Sequence, residues 1–272
     1  MRGGPPHPAL RGTPLGFAHR GWTPAHAQEV PGGQVHAWEN TLEAFAAALD
    51  LGITHLETDV RSTSDGVAVV MHDRDLVRTT GRAVGVSALS WAELSDLRVA
   101  GLHRVPRVEE VYDAFPDAVL NIDVKDARAV RPLAEAVRRA GAQERTVVAA
   151  FDGRRARAVQ ALAPGVARSA GVASSAGARL AATLERVSAP LGRRLLHRAS
   201  RGADALQLPE HAGRLRVVTP RLLRLAHDVG LQVHVWTVDD PDDMDRLLDL
   251  GVDGLMSDRA DLLSQVLARR AG

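Results

Sequence analysis

Cysteine is absent from the 272 residues, so neither a disulfide framework nor a thiolate metal centre is available. Lysine is nearly absent: of 34 Lys and Arg residues only Lys125 is lysine, leaving 33 arginines. Asparagine occurs only at Asn40 and Asn121, and isoleucine only at Ile53 and Ile122. A coding bias accounts for this scarcity, and under such a bias the survivors concentrate where chemistry requires them. No stretch approaches the roughly 20 apolar residues of a membrane span. The Pro- and Gly-rich segment 1–14 has no apolar run to serve as a secretory signal and is expected to be a disordered tail. Strong net charge is also missing; the formal value of +1 gives no reason to expect nucleic acid or an anionic membrane as partner. These absences make a cytoplasmic protein with no stable membrane insertion the expectation.

What is present is ordinary globular material, 45% hydrophobic and 25% charged, enough for a sizeable core in one domain over 15–272. Short apolar runs alternate with amphipathic stretches. Strands are predicted at 15–20, 53–60, 118–125, 146–151, 166–171, 205–208, 232–238 and 254–257. Each is followed by a predicted helix, with 176–201 read as helical and interrupted at Pro190–Gly192. Eight strands, each with its helix, predict a parallel (β/α)8 TIM barrel, in which functional side chains gather at the carboxyl ends of the strands. His19, Glu57, Asp59, Asp123, Lys125 and Trp236 fall there.

The stretch from Leu56 to Asp73 organises the rest. Glu57 and Asp59 stand two apart on a strand, so both carboxylates face one way and repel unless a cation lies between them. Asp65-Gly66 supplies a tight turn, and a second apolar strand carries His72 at its end. Asp123 adds a third carboxylate from another strand, giving an all-oxygen donor set suited to Ca²⁺ or Mg²⁺. Lys125, on the same face, suits a phosphate oxygen or forms a structural ion pair with Asp123. His19 and His72 are candidates for general acid and base. Arg20 is either a phosphate clamp or a buried partner for Glu39. His234 shares strand parity with Trp236 and is expected to face the same pocket. The basic cluster Arg193–Arg198 reads as a solvated helix face.

His19-Arg20-Gly21, Glu39-Asn40-Thr41, Glu57-Thr58-Asp59, Asp65-Gly66, His72-Asp73 and Arg78-Thr79-Thr80-Gly81 follow one another in order. Asn121-Ile122-Asp123-Val124-Lys125, Phe151-Asp152, Val235-Trp236-Thr237 and Gly251-Val252-Asp253-Gly254 with Asp258 continue the series. Together they resemble the glycerophosphodiester phosphodiesterase family over nearly all the chain from residue 15. The resemblance implies a TIM barrel with a small insertion after the second strand, here 61–105, carrying the His72 arm. It implies that Glu57, Asp59 and Asp123 bind a divalent cation, that His19 and His72 exchange protons, and that Arg20 and Lys125 hold phosphate. Trp236 would wall the pocket, with Glu39 and Asn40 orienting the groups in contact with substrate.

The implied reaction is metal-dependent hydrolysis of glycerophosphodiesters to glycerol 3-phosphate and an alcohol. The attacking group is water or the neighbouring glycerol hydroxyl. Two alternatives stay open: a lysophospholipase D-type phosphodiesterase, and a catalytically impaired barrel that only binds phosphodiesters. Three positions depart from the family pattern. Asp123 stands where glutamate is usual, Trp38 replaces a proline, and the loop over 22–38, with His26 and His36, is long enough to cover the pocket or to be an exposed insertion.

Overall fold

Alternation along the strands separates two cores. In the strand His55–Ser62, Leu56 and Val60 face outward, while His55, Glu57 and Asp59 face inward. In the strand Val119–Val124, Leu120, Ile122 and Val124 point out and Asn121 and Asp123 point in. Side chains two apart share a face because successive residues alternate across the pleat. The outward set meets the helices, and each Leu, Ile or Val buried there contributes about 1.5–3 kcal/mol. A computed structural model of the chain describes residues 5–24, 38–170 and 188–271.

Eight strands close on themselves, all parallel: β1 (Leu15–His19), β2 (His55–Ser62), β3 (Val119–Val124), β4 (Thr146–Ala149), β5 (Ala167–Ala170), β6 (Ala205–Pro209), β7 (Gln232–Trp236) and β8 (Gly254–Ser257). The seam pairs β1 with β8, Leu15 opposite Gly254, and with β2, His19 opposite Glu57. Among the described residues, the helices around the barrel are α1 (Leu42–Asp50), α2 (Val108–Ala114), α3 (Val130–Arg139), α4 (Gly153–Leu162), α5 (Ala189–Ser200), α6 (Pro220–Asp228), α7 (Pro241–Leu250) and α8 (Ala260–Ala271). Several are started by side chains that take up free amide groups: Thr41 on Ala44, Asp152 on Arg154, Thr219 on Leu222 and Asp240 on Asp242 and Asp243. The expected TIM barrel is therefore the observed fold. Among the described residues, no helix is long and apolar enough to cross a membrane.

Two local expectations are corrected. Residues 5–14 are not a loose tail: Pro8–Leu10 forms a 3₁₀ turn with Ala9 and Leu10 buried. These two join Leu15, Phe17, Val147, Ala167, Ala205 and Met256 in the interior cluster. Leu10 O accepts from Gln232 Nε2 at 2.7 Å, and Ala9 O meets His55 Nε2 at 3.2 Å. Pro190, read as a helix break, instead stands in the first turn of α5, where its missing N–H costs nothing. The earlier part of that expected helix, 176–187, lies outside the described residues, as do residues 1–4.

Between β2 and α2 the chain leaves the barrel. Ala68–Val70 pairs antiparallel with the end of β2, Val60 opposite Val70. Short segments then wrap a separate apolar cluster of Val69, Met71, Leu76, Val86, Leu94, Val99 and Val105. This arm has its own core and stands beside the barrel mouth.

Candidate active site

Register brings the inward side chains of neighbouring strands level. His19 lies beside Glu57, Glu57 beside Asn121, and Asp59 beside Asp123. Strand ends add the next tier: Arg20 follows β1, Lys125 follows β3, and Trp236 closes β7. All of these, with His72 from the arm, line one cavity of about 280 Å³ at the carboxyl ends of the strands. Ser169, Gln207, Phe151 and Met256 complete much of its wall.

Charge is arranged tightly there. Lys125 Nζ lies 2.8 Å from Asp59 Oδ1 and 2.7 Å from Asp123 Oδ2, bridging the two strands. The Arg20 guanidinium pairs with Asp59 Oδ2 through Nε and with Glu39 Oε1 through Nη1, both at 3.2 Å. Asn40 donates to Asp59 Oδ2 at 3.1 Å and accepts from Thr58 Oγ1 at 2.7 Å. Glu39 and Asn40 thus stand behind the pocket wall rather than in it. Arg20 itself adopts a left-handed backbone, φ 59°, at a cost of roughly 1–2 kcal/mol. Its N–H meets both the main-chain and a side-chain oxygen of Glu57.

The same packing sets protonation. Burial, then the neighbouring Asp59, push the Glu57 carboxyl up to about 7. Burial also acts to raise Asp59, but Lys125 and Arg20 outweigh it and hold Asp59 below the ordinary carboxylate range. Burial disfavours a charged His19, yet Glu57 and Asp258 more than offset it and push the imidazole up to about 9. Lys125 is raised in turn: Asp59 and Asp123 overcome its desolvation.

Three carboxylates could take a cation: Glu57, Asp59 and Asp123. Among the described residues no three His, Asp or Glu side chains stand close enough to hold one as arranged, and Lys125 engages two of these three carboxylates. Two features fit an ion nonetheless. Asp123 Oδ1 is a buried carboxylate oxygen with no hydrogen-bond partner among the described residues, and Glu57 and Asp59 repel across one strand face.

Each imidazole is held from behind. His19 Nδ1 lies 2.6 Å from Asp258 Oδ1, and His72 Nδ1 lies 2.7 Å from Asp73 Oδ1. Asp73 Oδ2 accepts from Arg78 Nε at 2.6 Å, and Arg61 donates twice to the His72 carbonyl, at 2.9 and 2.8 Å. Sequence reasoning assigned no role to Asp258, Asp73, Arg78, Arg61 or Gln207. Asp258 directly follows the last barrel strand, the position rule that had singled out the other acids, and so was within reach.

Not every expectation converges. His234 is fully buried beneath the cavity and does not line it; it packs on Phe17 with ring centres 4.9 Å apart and bonds Gln232. His26 and His36 lie outside the described residues. Trp38 packs against His103 of the arm, ring centres 4.7 Å apart and the planes inclined at 54°.

A parallel barrel whose mouth gathers acids, two backed imidazoles and two cationic side chains defines a TIM-barrel hydrolase suited to a phosphate ester. The profile of the "Glycerophosphoryl diester phosphodiesterase family" matches residues 19–262. A Mycobacterium tuberculosis protein named "Probable glycerophosphodiester phosphodiesterase 2" is 40% identical over 258 residues, 94% of this chain and 91% of the relative. A glycerophosphodiester phosphodiesterase of Caldanaerobacter subterraneus subsp. tengcongensis is 29% identical, covering 95% of this chain and 99% of its own. An Oleispira antarctica phosphodiesterase, solved with the product sn-glycerol-3-phosphate, shares the fold with TM-score 0.73 at 21% identity, covering 94% and 97% of the two chains. The chain belongs to the glycerophosphoryl diester phosphodiesterase family, and it is a phosphoric diester hydrolase.

Proposed function

We propose that the enzyme hydrolyses small glycerophosphodiesters in the cytoplasm to glycerol 3-phosphate and an alcohol, with a divalent cation and two histidines. The observation that carries this reading is the meeting of His19 and His72, one from the barrel and one from the arm, over a single carboxylate-lined cavity. The bound product of the Oleispira relative supports glycerol 3-phosphate as the species held.

Glu57, Asp59 and Asp123 would hold Ca²⁺ or Mg²⁺, whose charge polarises the phosphoryl oxygens. Lys125 and Arg20 then turn part of their hydrogen bonding from the carboxylates to the phosphate and neutralise it. One histidine takes the proton of the attacking hydroxyl, and the other protonates the leaving alkoxide. Asp258 and Asp73, each on an Nδ1, leave both Nε2 atoms for substrate. Trp236 and Phe151, ring centres 6.3 Å apart, give the cavity an apolar side.

Turnover of glycerophosphocholine, -ethanolamine, -glycerol and -inositol after chelation, with Ca²⁺, Mg²⁺ and Mn²⁺ restored singly, tests the proposal. Activity should vanish on chelation, return with one ion, and fall by about 10²- to 10⁴-fold, to a measurable residual level, in His19→Asn and His72→Gln. Turnover that survives exhaustive chelation overturns the cation assignment. A second reading, a lysophospholipase D-type activity, is favoured by Phe151, an aromatic left 59% exposed beside Trp236. Faster turnover of lysophosphatidylcholine than of glycerophosphocholine would establish it.

A further inference from the structure

We propose that Arg78 is a positioning residue of this reaction: it fixes His72 through Asp73 and couples it to the Arg20–Asp59 side of the pocket through Glu39. The inference rests on the reading of His72 as a proton-transfer group.

His72 is the one histidine of the pair that no barrel strand carries. Main-chain placement comes from the Val60–Val70 ladder, from the Met71 N–H on Asp59 O at 2.9 Å, and from Arg61 on the His72 carbonyl. None of these sets the direction of the ring. Ring direction depends on Asp73, whose Oδ1 engages Nδ1. Asp73 is the adjacent residue in the chain, and a single bond to its neighbour would leave both side chains free to swing together. Arg78 removes that freedom. Its Nε donates to Asp73 Oδ2 at 2.6 Å while Nη2 donates to Glu39 Oε1 at 2.5 Å.

Glu39 is nearly inaccessible, its side chain 2% exposed, and the same oxygen also receives Arg20 Nη1 at 3.2 Å. A continuous alternation of charge therefore runs Asp59, Arg20, Glu39, Arg78, Asp73, His72. It links barrel to arm behind the pocket wall, through Glu39, Arg78 and Asp73, which do not line the cavity. A planar guanidinium spans two carboxylates at fixed angles, whereas an ammonium is a single point of charge. Arg78 is itself pinned. It sits in the short helical turn Val77–Thr80, closed by Gly81, and Thr79 O receives the Ala100 N–H at 2.9 Å.

A residue acting this way should affect rate and not affinity. With saturating cation, Arg78→Ala should lower kcat about 10- to 100-fold and change KM less than about threefold. Arg78→Lys should recover little, because one ammonium cannot bridge Asp73 and Glu39. On a His72→Gln background, Arg78→Ala should cost almost nothing further, since the group it positions is gone. Equal losses on both backgrounds, a loss expressed in KM alone, or full rescue by lysine would overturn the proposal. If His72→Gln alone keeps wild-type turnover, the reading beneath it fails instead, and the two failures are told apart by that one variant.

Discussion

His19 Nδ1 meets Asp258 Oδ1 at 2.6 Å across the seam where the barrel closes, although 239 residues separate them in the chain. The contact needs β1 and β8 to be neighbours, so it exists only in the closed barrel. It fixes the ring and, with Glu57, keeps its charged form favourable.

Asp258→Asn should therefore lower kcat by about 10²-fold, the scale of a misdirected acid or base. In metal-free protein the His19 ring should titrate below the wild-type value of about 9, as histidine NMR would read. Because the folded-state value is raised, the Asp258 contribution to stability is full below about pH 6.5 and disappears as pH climbs through about 9. Asp258→Asn should lose stability at pH 6 and match the parent above pH 10.

Lys125 competes with any cation for Asp59 and Asp123. Replacing it by methionine keeps an unbranched side chain one atom shorter and removes the charge. Lys125→Met should bind Mn²⁺ about tenfold more tightly, an effect of roughly 1.4 kcal/mol, while turnover falls because the phosphate loses a counter-charge. Calorimetric titration of Mn²⁺ into the two proteins measures the first half independently of activity. Weaker Mn²⁺ binding in the variant would show that the ammonium supports the ion site instead of blocking it.

The barrel was legible because its strands are short apolar runs bounded by glycine, and because acids recur at i, i+2 near their ends. Residues whose meaning depends on a distant partner were not. Arg78 is an ordinary surface arginine until the fold sets it against Glu39, 39 positions away. Pro8–Leu10 carries too few apolar residues to signal a core, yet Ala9 and Leu10 find one at the amino-terminal end of the barrel, opposite the cavity. His234 was placed on the correct face and at the wrong depth. Two residues along a strand is about 6.6 Å, enough to sink it below Trp236 into the packed interior.

Gly21 marks a close approach. Its φ is +83°, and a Cβ there would stand 2.7 Å from the Ala44 carbonyl carbon in the first turn of α1. The neighbouring Trp22 N–H bonds that same carbonyl, so the loop cannot back away without losing it. Gly66 has nearly the same φ, +82°, with nothing within 4 Å. Gly66→Ala should cost about 1 kcal/mol from backbone strain alone. Gly21→Ala should cost about 2 kcal/mol or more and lower the thermal midpoint by roughly 5 °C. Equal midpoints for the two variants would mean that the Ala44 contact is soft.

Acid should weaken the fold through His234. Burial is complete, and it pushes the imidazole down to about 4. The hydrogen bonds agree: Nε2 meets Gln232 Oε1 at 3.0 Å, and Nδ1 faces the Gln207 amide nitrogen at 3.4 Å. A proton on Nδ1 would set N–H against N–H, so the neutral ring is the one that fits. The unfolded chain takes up that proton near pH 6.5 and the folded one near 4, so stability falls as pH drops through this window and levels below it. The loss assigned to His234 is roughly 3 kcal/mol. His55, also pushed down by burial, steepens the same slope. Urea unfolding of the parent and of His234→Gln at pH 7 and pH 4.5 isolates the share of His234. The variant should be the weaker protein at pH 7 and should lose about 2 kcal/mol less on acidification. Parallel losses in the two proteins would mean that His234 is already protonated, or freely hydrated, in the folded barrel.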